Sequence, residues 1–269
     1  MESGKMIDFK KYENPEIVNG IADIMSSPQR APIRIVKWGL LFAFLGFVVA
    51  VFFIGLSKQS AFVTVLPAVF VFFAVTFSGV LFGLYSFFRD LDRSFRMILE
   101  YTNDVVHLAA NDICDSFDTL KLNADGRVKL PGGHEVVGGV LLHVINPAVK
   151  KCLESKIPLV GRFVSKVYSR VVNRLLKVSS VFFAKVDKEI DKVVRARLAK
   201  VKNVADAPLN FVERNVKQVW LSKVSTGADR YIGKAKGLVH GTYILISVPI
   251  LAFAIAFVAV AIALVIFAV

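Results

Sequence analysis

From Gly241 to Val269 the chain runs 29 residues without a charge, and between Trp38 and Phe88 the only charged residue is Lys58. About 20 apolar residues of helix cross a hydrocarbon core ~30 Å thick, so each of these stretches is long enough to do so. The first span is predicted from Val36 to Leu56, with Arg34, Lys37 and Trp38 at its start in the positions of an interfacial anchor. The second runs from Val63 to Phe88 and ends in Tyr85, Phe87, Phe88 and Arg89. Ser57, Lys58, Gln59 and Ser60 alone connect them, which makes the pair an antiparallel hairpin. His240 and Tyr243 open the third. The expected fold is an all-α integral membrane protein with three transmembrane helices, an N-terminal hairpin and a C-terminal span. The lesser alternative is a hairpin wedged into one leaflet, because its combined length does not require either arm to cross.

Charge is unevenly placed. Residues 126–240 carry 23 Lys/Arg against eight Asp/Glu and hold the whole excess of a chain whose net charge is +13, whereas residues 89–125 carry four against eight. Cytoplasmic segments are the ones enriched in Lys/Arg, and the hairpin loop has only Lys58 while both flanks have clusters. The N-terminus and residues 89–240 are therefore expected to be cytoplasmic, with the C-terminus on the opposite face. No cleavable export signal is read in the polar first 34 residues. Cys114 and Cys152 are too few for a disulfide framework and too far apart in sequence for a C-x-x-C site, and both are read as reduced.

The segment divides by pattern into 1–34, the hairpin 35–88, an acidic and short-helix region 89–158, a basic region 159–240 and the last span 241–269. An acidic amphipathic helix is expected from Asp90 to Phe117, its stripe being Phe95, Ile98, Val105, Ala109, Ile113 and Phe117. Alternation of Leu120–Leu122 and Arg127–Leu130 around Asn123-Ala124-Asp125-Gly126 predicts one small β-hairpin. A helix from about Glu135 meets Asn146-Pro147, expected to cap and restart it, because proline fits a first helical turn but not an interior.

After Pro158 the strongest internal pattern begins. Val160, Val171, Phe182, Val193 and Val204 are eleven residues apart, as are Lys166, Lys177 and Lys188. Eleven residues are three turns at 3.67 per turn, so each set keeps its side along a nearly straight helix. Lys166, Arg170, Arg174, Lys177, Lys185, Lys188, Lys192 and Arg195 line a basic flank. Asp206-Ala207-Pro208 reads as a break before a last amphipathic helix with Val216, Trp220 and Tyr231 on its apolar side.

No catalytic, cofactor or metal site assembles. Beyond Lys37 at the entrance of the first, the expected spans hold no Asp, Glu, Lys, Arg or His, which disfavours a solute transporter. Small residues stand at helix-contact spacing instead: Gly79 and Gly83, and Ala252, Ala256, Ala259 and Ala263. His107 has Asp104, Asn111, Cys114 and Asp115 within helical reach, but all oppose the apolar stripe and read as a solvated face. Gly132-Gly133 and Gly138-Gly139 lack any phosphate-loop pattern. Nucleic-acid binding draws on the same charge as the basic flank but is disfavoured, since lysines strung along one helix are not a compact aromatic or arginine site. The expected function is a non-enzymatic, homo-oligomeric scaffold that organises or shapes membrane, its basic helices on anionic headgroups of the cytoplasmic leaflet. The alternative is a subunit of a secretion or channel-like assembly with a cytoplasmic helical collar.

Overall fold

The structure is a computed structural model and describes residues 9–12, 19–24, 30–56, 61–116, 131–156, 161–202 and 209–268. Among these residues nearly all are helical and no strand occurs. The expected β-hairpin at 120–130 lies outside the described residues. After a short 3₁₀ turn at Phe9–Tyr12 and a helical stretch at 19–24, the elements are α1 (Ala31–Leu56), α2 (Ala61–Ser116), α3 (Gly133–Val140), a π-turn (Leu141–Ile145), α4 (Asn146–Lys156), α5 (Gly161–Lys202) and α6 (Leu209–Ala268). Three of these helices, α1, α2 and α6, are long and apolar enough to cross a membrane.

The chain divides into two compact units: Met1–Ile24 with Arg96–Gly237, and Met25–Phe95 with Leu238–Val269. Regions 89–158 and 159–240, distinct by sequence pattern, thus contribute to one unit, and both divisions fall inside continuous helices. The apolar second span and the acidic amphipathic helix are the single helix α2, and the last amphipathic helix and the third span are the single helix α6. No proline or glycine separates Phe88 from Asp90; what changes there is side-chain polarity, to which backbone hydrogen bonding is indifferent.

In the apolar unit, α1 packs on α2 through glycine. A Cβ added at Gly79 would lie 2.9 Å from the Trp38 carbonyl oxygen, and one at Gly83 would lie 2.8 Å from the Ile35 Cα. Gly79→Ala is therefore expected to destabilise the protein by about 1–3 kcal/mol through overpacking against backbone. Gly233→Ala, where nothing stands within 4 Å, should instead stabilise by about 0.5–1 kcal/mol, the usual gain for a helical glycine. Thermal unfolding of both variants in detergent checks the contrast, and equal effects would refute the close approach. Helix α6 meets the hairpin through Ala261, packed with Val71, Ala74 and Val75. The Ser78 hydroxyl donates to the Ala254 carbonyl at 2.8 Å.

At one end of this unit the pairings step from aromatic to ionic. Trp38 packs edge-on against Phe82 at 4.8 Å, and Tyr85 lies 6.5 Å from Tyr243. Beyond them Arg34 pairs with Asp90 and His240 Nδ1 with Asp92 at 3.2 Å.

The polar unit is a helical bundle around Val105, Val106, Val136, Val144, Val172, Phe183, Trp220 and Tyr231, all buried. Phe95, Ile98, Val105, Ala109 and Ile113 are buried along α2, as periodicity predicts; Phe117 lies outside the described residues. Asn146-Pro147 does not break the helix. Asn146 is helical (φ −62°, ψ −44°) and donates its N–H to the Leu141 carbonyl, five residues back. The π-turn widens the coil just where the proline has no N–H to give and would crowd a carbonyl in a regular α-helix. The α3 N-terminus is capped twice: Glu135 accepts the Gly132 N–H (3.2 Å) and Asp187 of α5 accepts the Gly133 N–H (2.8 Å).

Residues 9–12 and 19–24 fold back on this bundle. The Phe9 ring lies 6.1 Å from, and nearly parallel to, the His143 ring, in space that a Cβ at Gly139 would occupy. Tyr12 donates to Asp112 at 2.9 Å, and Ile21 is fully buried.

Candidate functional site

The basic surface is built on α5. Its buried line is Tyr168, Ser179 and Ile190, flanked by Val172, Phe183 and Leu175. The eleven-residue spacing is thus present, but the set expected at its centre is displaced: Val171, Phe182 and Val193 are half-buried, while Val160 and Val204 are outside the described residues. Several parallel lines share one apolar stripe, and the partners choose among them. Here Tyr231 of α6 donates to the Leu175 carbonyl (2.7 Å) and its ring meets Phe183 (5.7 Å) and Phe182 (5.9 Å), rotating α5 toward them. Burial pushes the Tyr231 and Tyr168 phenols upward, so both stay neutral.

Opposite this line stand Lys166, Arg170, Arg174, Lys177, Lys185, Lys188 and Lys192, every one exposed. At 100° per residue they fall within an arc of about 100°, centred roughly 170° from the buried line, and extend about 40 Å along the axis. Arg195 belongs to the same helix, its side chain outside the described set. Two carboxylates of α5 are engaged elsewhere: Asp187 caps α3, and Glu189 pairs with Lys223 of α6 at 3.3 Å. Sequence reasoning missed Lys234, which α6 places over the Phe182 ring at 4.9 Å, adding a cation beside the α5 face. A lysine three residues after Tyr231 was the available signal.

The small residues divide. Gly79 and Gly83 meet α1, whereas Ala252, Ala256 and Ala259 are exposed and Ala263 is half-buried. The side of α6 that packs within the chain carries Ser247, Ala254 and Ala261, seven residues apart. That spacing was readable too, but so were several others in an alanine-rich helix.

His107 is not merely solvated: its Nε2 lies 2.9 Å from Asp229 Oδ1 of α6, and Asn103 donates to the same oxygen at 2.7 Å. The Asn103 hydrogen bond first, and His107 second, hold the Asp229 carboxyl below its usual range. Asp104 and Asn111 are exposed, and among the described residues no His/Cys/Asp/Glu group suited to a metal is found. Burial raises the Cys114 thiol, with Asp115 adding to the effect. Because the Asp229 pKa is depressed on folding, its contribution is present above its unfolded pKa and fades as pH falls through the lower folded value. Asp229→Ala is expected to cost about 1 kcal/mol or less at neutral pH, with the difference from wild type shrinking as pH falls through the carboxylate range. Asp104→Ala should be silent. Urea titrations at pH 7 and pH 3 check this, and a loss of several kcal/mol would mark the cluster as more than an exposed tie between helices.

No family model, curated protein or solved structure matches the chain.

Proposed function

We propose that this protein is a non-enzymatic, membrane-anchored scaffold, homo-oligomeric in the bilayer, whose α5 basic face engages the anionic headgroups of the leaflet on its own side. One observation carries the reading: a face of seven exposed cations on a unit from which two helices, α2 and α6, continue without interruption into apolar stretches long enough to span. Near an anionic surface each such cation contributes ~1 kcal/mol. The contact is electrostatic. Among the described residues of its apolar side, Tyr168, Val172, Leu175, Phe183 and Ile190 are buried within the chain, which supports a headgroup contact over one made by the apolar stripe.

The aromatic step at Trp38, Tyr85 and Tyr243, followed outward by Arg34–Asp90 and His240–Asp92, supports a membrane–water boundary at that level. From Trp38 the remaining length of α1 is about 27 Å, near the ~30 Å of a hydrocarbon core, which supports crossing over a one-leaflet wedge. Phe9 and Tyr12 dock on the same unit as residues 96–237, which supports one side of the membrane for both. The Lys58-only loop supports the cytoplasm as that side.

Single-cysteine labelling in intact cells tests the arrangement. A cysteine at Gln59 should react with an impermeant reagent only from the outer or lumenal face, and one at Ser225 only from the cytoplasm. Cytoplasmic labelling at Gln59 would replace the spanning hairpin with the one-leaflet wedge.

A further inference from the structure

We propose that the Lys166–Lys177 stretch of α5 is a binding site for phosphomonoester groups carried by lipid headgroups. This rests on the leaflet-facing reading of the same helix and narrows its ligand. From Gly161 to Val186 α5 contains no Asp or Glu, whereas Asp187, Glu189 and Asp191 are interspersed with the lysines that follow. Asp187 and Glu189 are engaged by α3 and Lys223, so what sets the first half of the face apart is that it holds no carboxylate at all. Both described arginines of the exposed face are there too. Arg170 and Arg174 are exposed one turn apart, with Lys166 and Lys177 beyond each and exposed Asn173 beside them. Residues four apart on a helix are neighbours at about 6 Å, a spacing from which two guanidinium forks can reach one phosphate.

A guanidinium presents fixed parallel N–H donors that match phosphate oxygens, while an ammonium acts as a point charge. A phosphomonoester gathers up to two charges and three acceptor oxygens at one atom. A phosphodiester headgroup offers one charge and two free oxygens. Converging forks gain most from the first. Tyr168, Val172 and Leu175 are buried on the other side, which fixes the rotation of the helix and holds both arginines outward before any ligand arrives.

The test uses the full-length protein in neutral-lipid nanodiscs, mixed with phosphatidylcholine vesicles carrying either phosphatidate or phosphatidylglycerol at matched surface charge. Binding to phosphatidate should be about tenfold tighter. The double variant Arg170→Lys/Arg174→Lys keeps the charge and should bring the two vesicles within about twofold of each other, while Lys188→Gln/Lys192→Gln should weaken both equally. Equal binding by wild type, or a preference that survives the arginine-to-lysine change, overturns the site and leaves the scaffold reading intact. Binding no better than to neutral vesicles in both cases, repeated with the protein in amphipol so that no leaflet of its own covers α5, overturns the scaffold reading itself. Glycerol phosphate is the soluble competitor and should displace nothing below millimolar concentration. Displacement at micromolar concentration would reassign the site to a free phosphate ligand, and displacement by micromolar RNA would reassign it to a nucleic acid.

Discussion

Replacing Lys166, Arg170, Arg174 and Lys177 together with glutamine is expected to weaken binding of the nanodisc-held protein to anionic vesicles by several hundredfold. Four cations near an anionic surface contribute ~1 kcal/mol each, about 4 kcal/mol in all. The fold should persist, because all four side chains are exposed and the buried line of α5 is untouched; exposed substitutions of this kind typically shift stability by about 0.5 kcal/mol or less. Wild-type binding should fall steeply as salt shortens the reach of surface charge, and the variant should respond little. Vesicle sedimentation across a salt series measures both. A folded variant that binds like wild type would remove the α5 face from the function.

Phe183→Ala is expected to destabilise the polar unit by about 3–5 kcal/mol, the usual range for deleting a buried phenylalanine. Phe183 is fully buried and in ring contact with Tyr231. A Cβ at Gly133 or Gly227 would meet its ring at 2.6 or 3.0 Å, so the ring fills the space where α3, α5 and α6 converge. Its removal leaves a cavity that helices anchored at those glycines cannot collapse to fill. The melting temperature should drop by roughly 10 °C. Two residues earlier, Val181 is 70 % exposed, and Val181→Ala should move stability by about 0.5 kcal/mol or less. Comparable losses at both positions would mean that α5 is rotated differently from the arrangement described above.

Much of this architecture is legible in the chain because its causes are local. Uncharged runs of membrane-spanning length identify three apolar helices, and the 3.6 periodicity from Phe95 to Ile113 identifies the buried face of α2. The eleven-residue spacing places Lys166, Arg170, Arg174 and Lys177 on one side of a long helix before any coordinates are known. Each needs only a rise, a turn angle and a hydropathy contrast. What periodicity does not carry is a choice between equivalent alternatives. The Val171 and Tyr168 lines of α5 have the same spacing, and only the rings and hydroxyl of Tyr231 decide that the second is buried.

The continuity through Asn146-Pro147 likewise depends on a π-turn, which a proline permits but does not announce. Asp229 is 126 residues from Asn103 and 122 from His107, so nothing local to either helix predicts their meeting. The docking of Phe9 over Gly139 is of the same kind, a contact between distant residues that exists only because the bundle has formed. Sequence by itself determined the helices, their apolar lengths and the side on which the basic charge collects. Tertiary packing alone decided which stripe of α5 is hidden, which carboxylates are withdrawn from its basic face, and that the N-terminal residues share a unit with residues 96–237, because each depends on partners that local pattern does not specify.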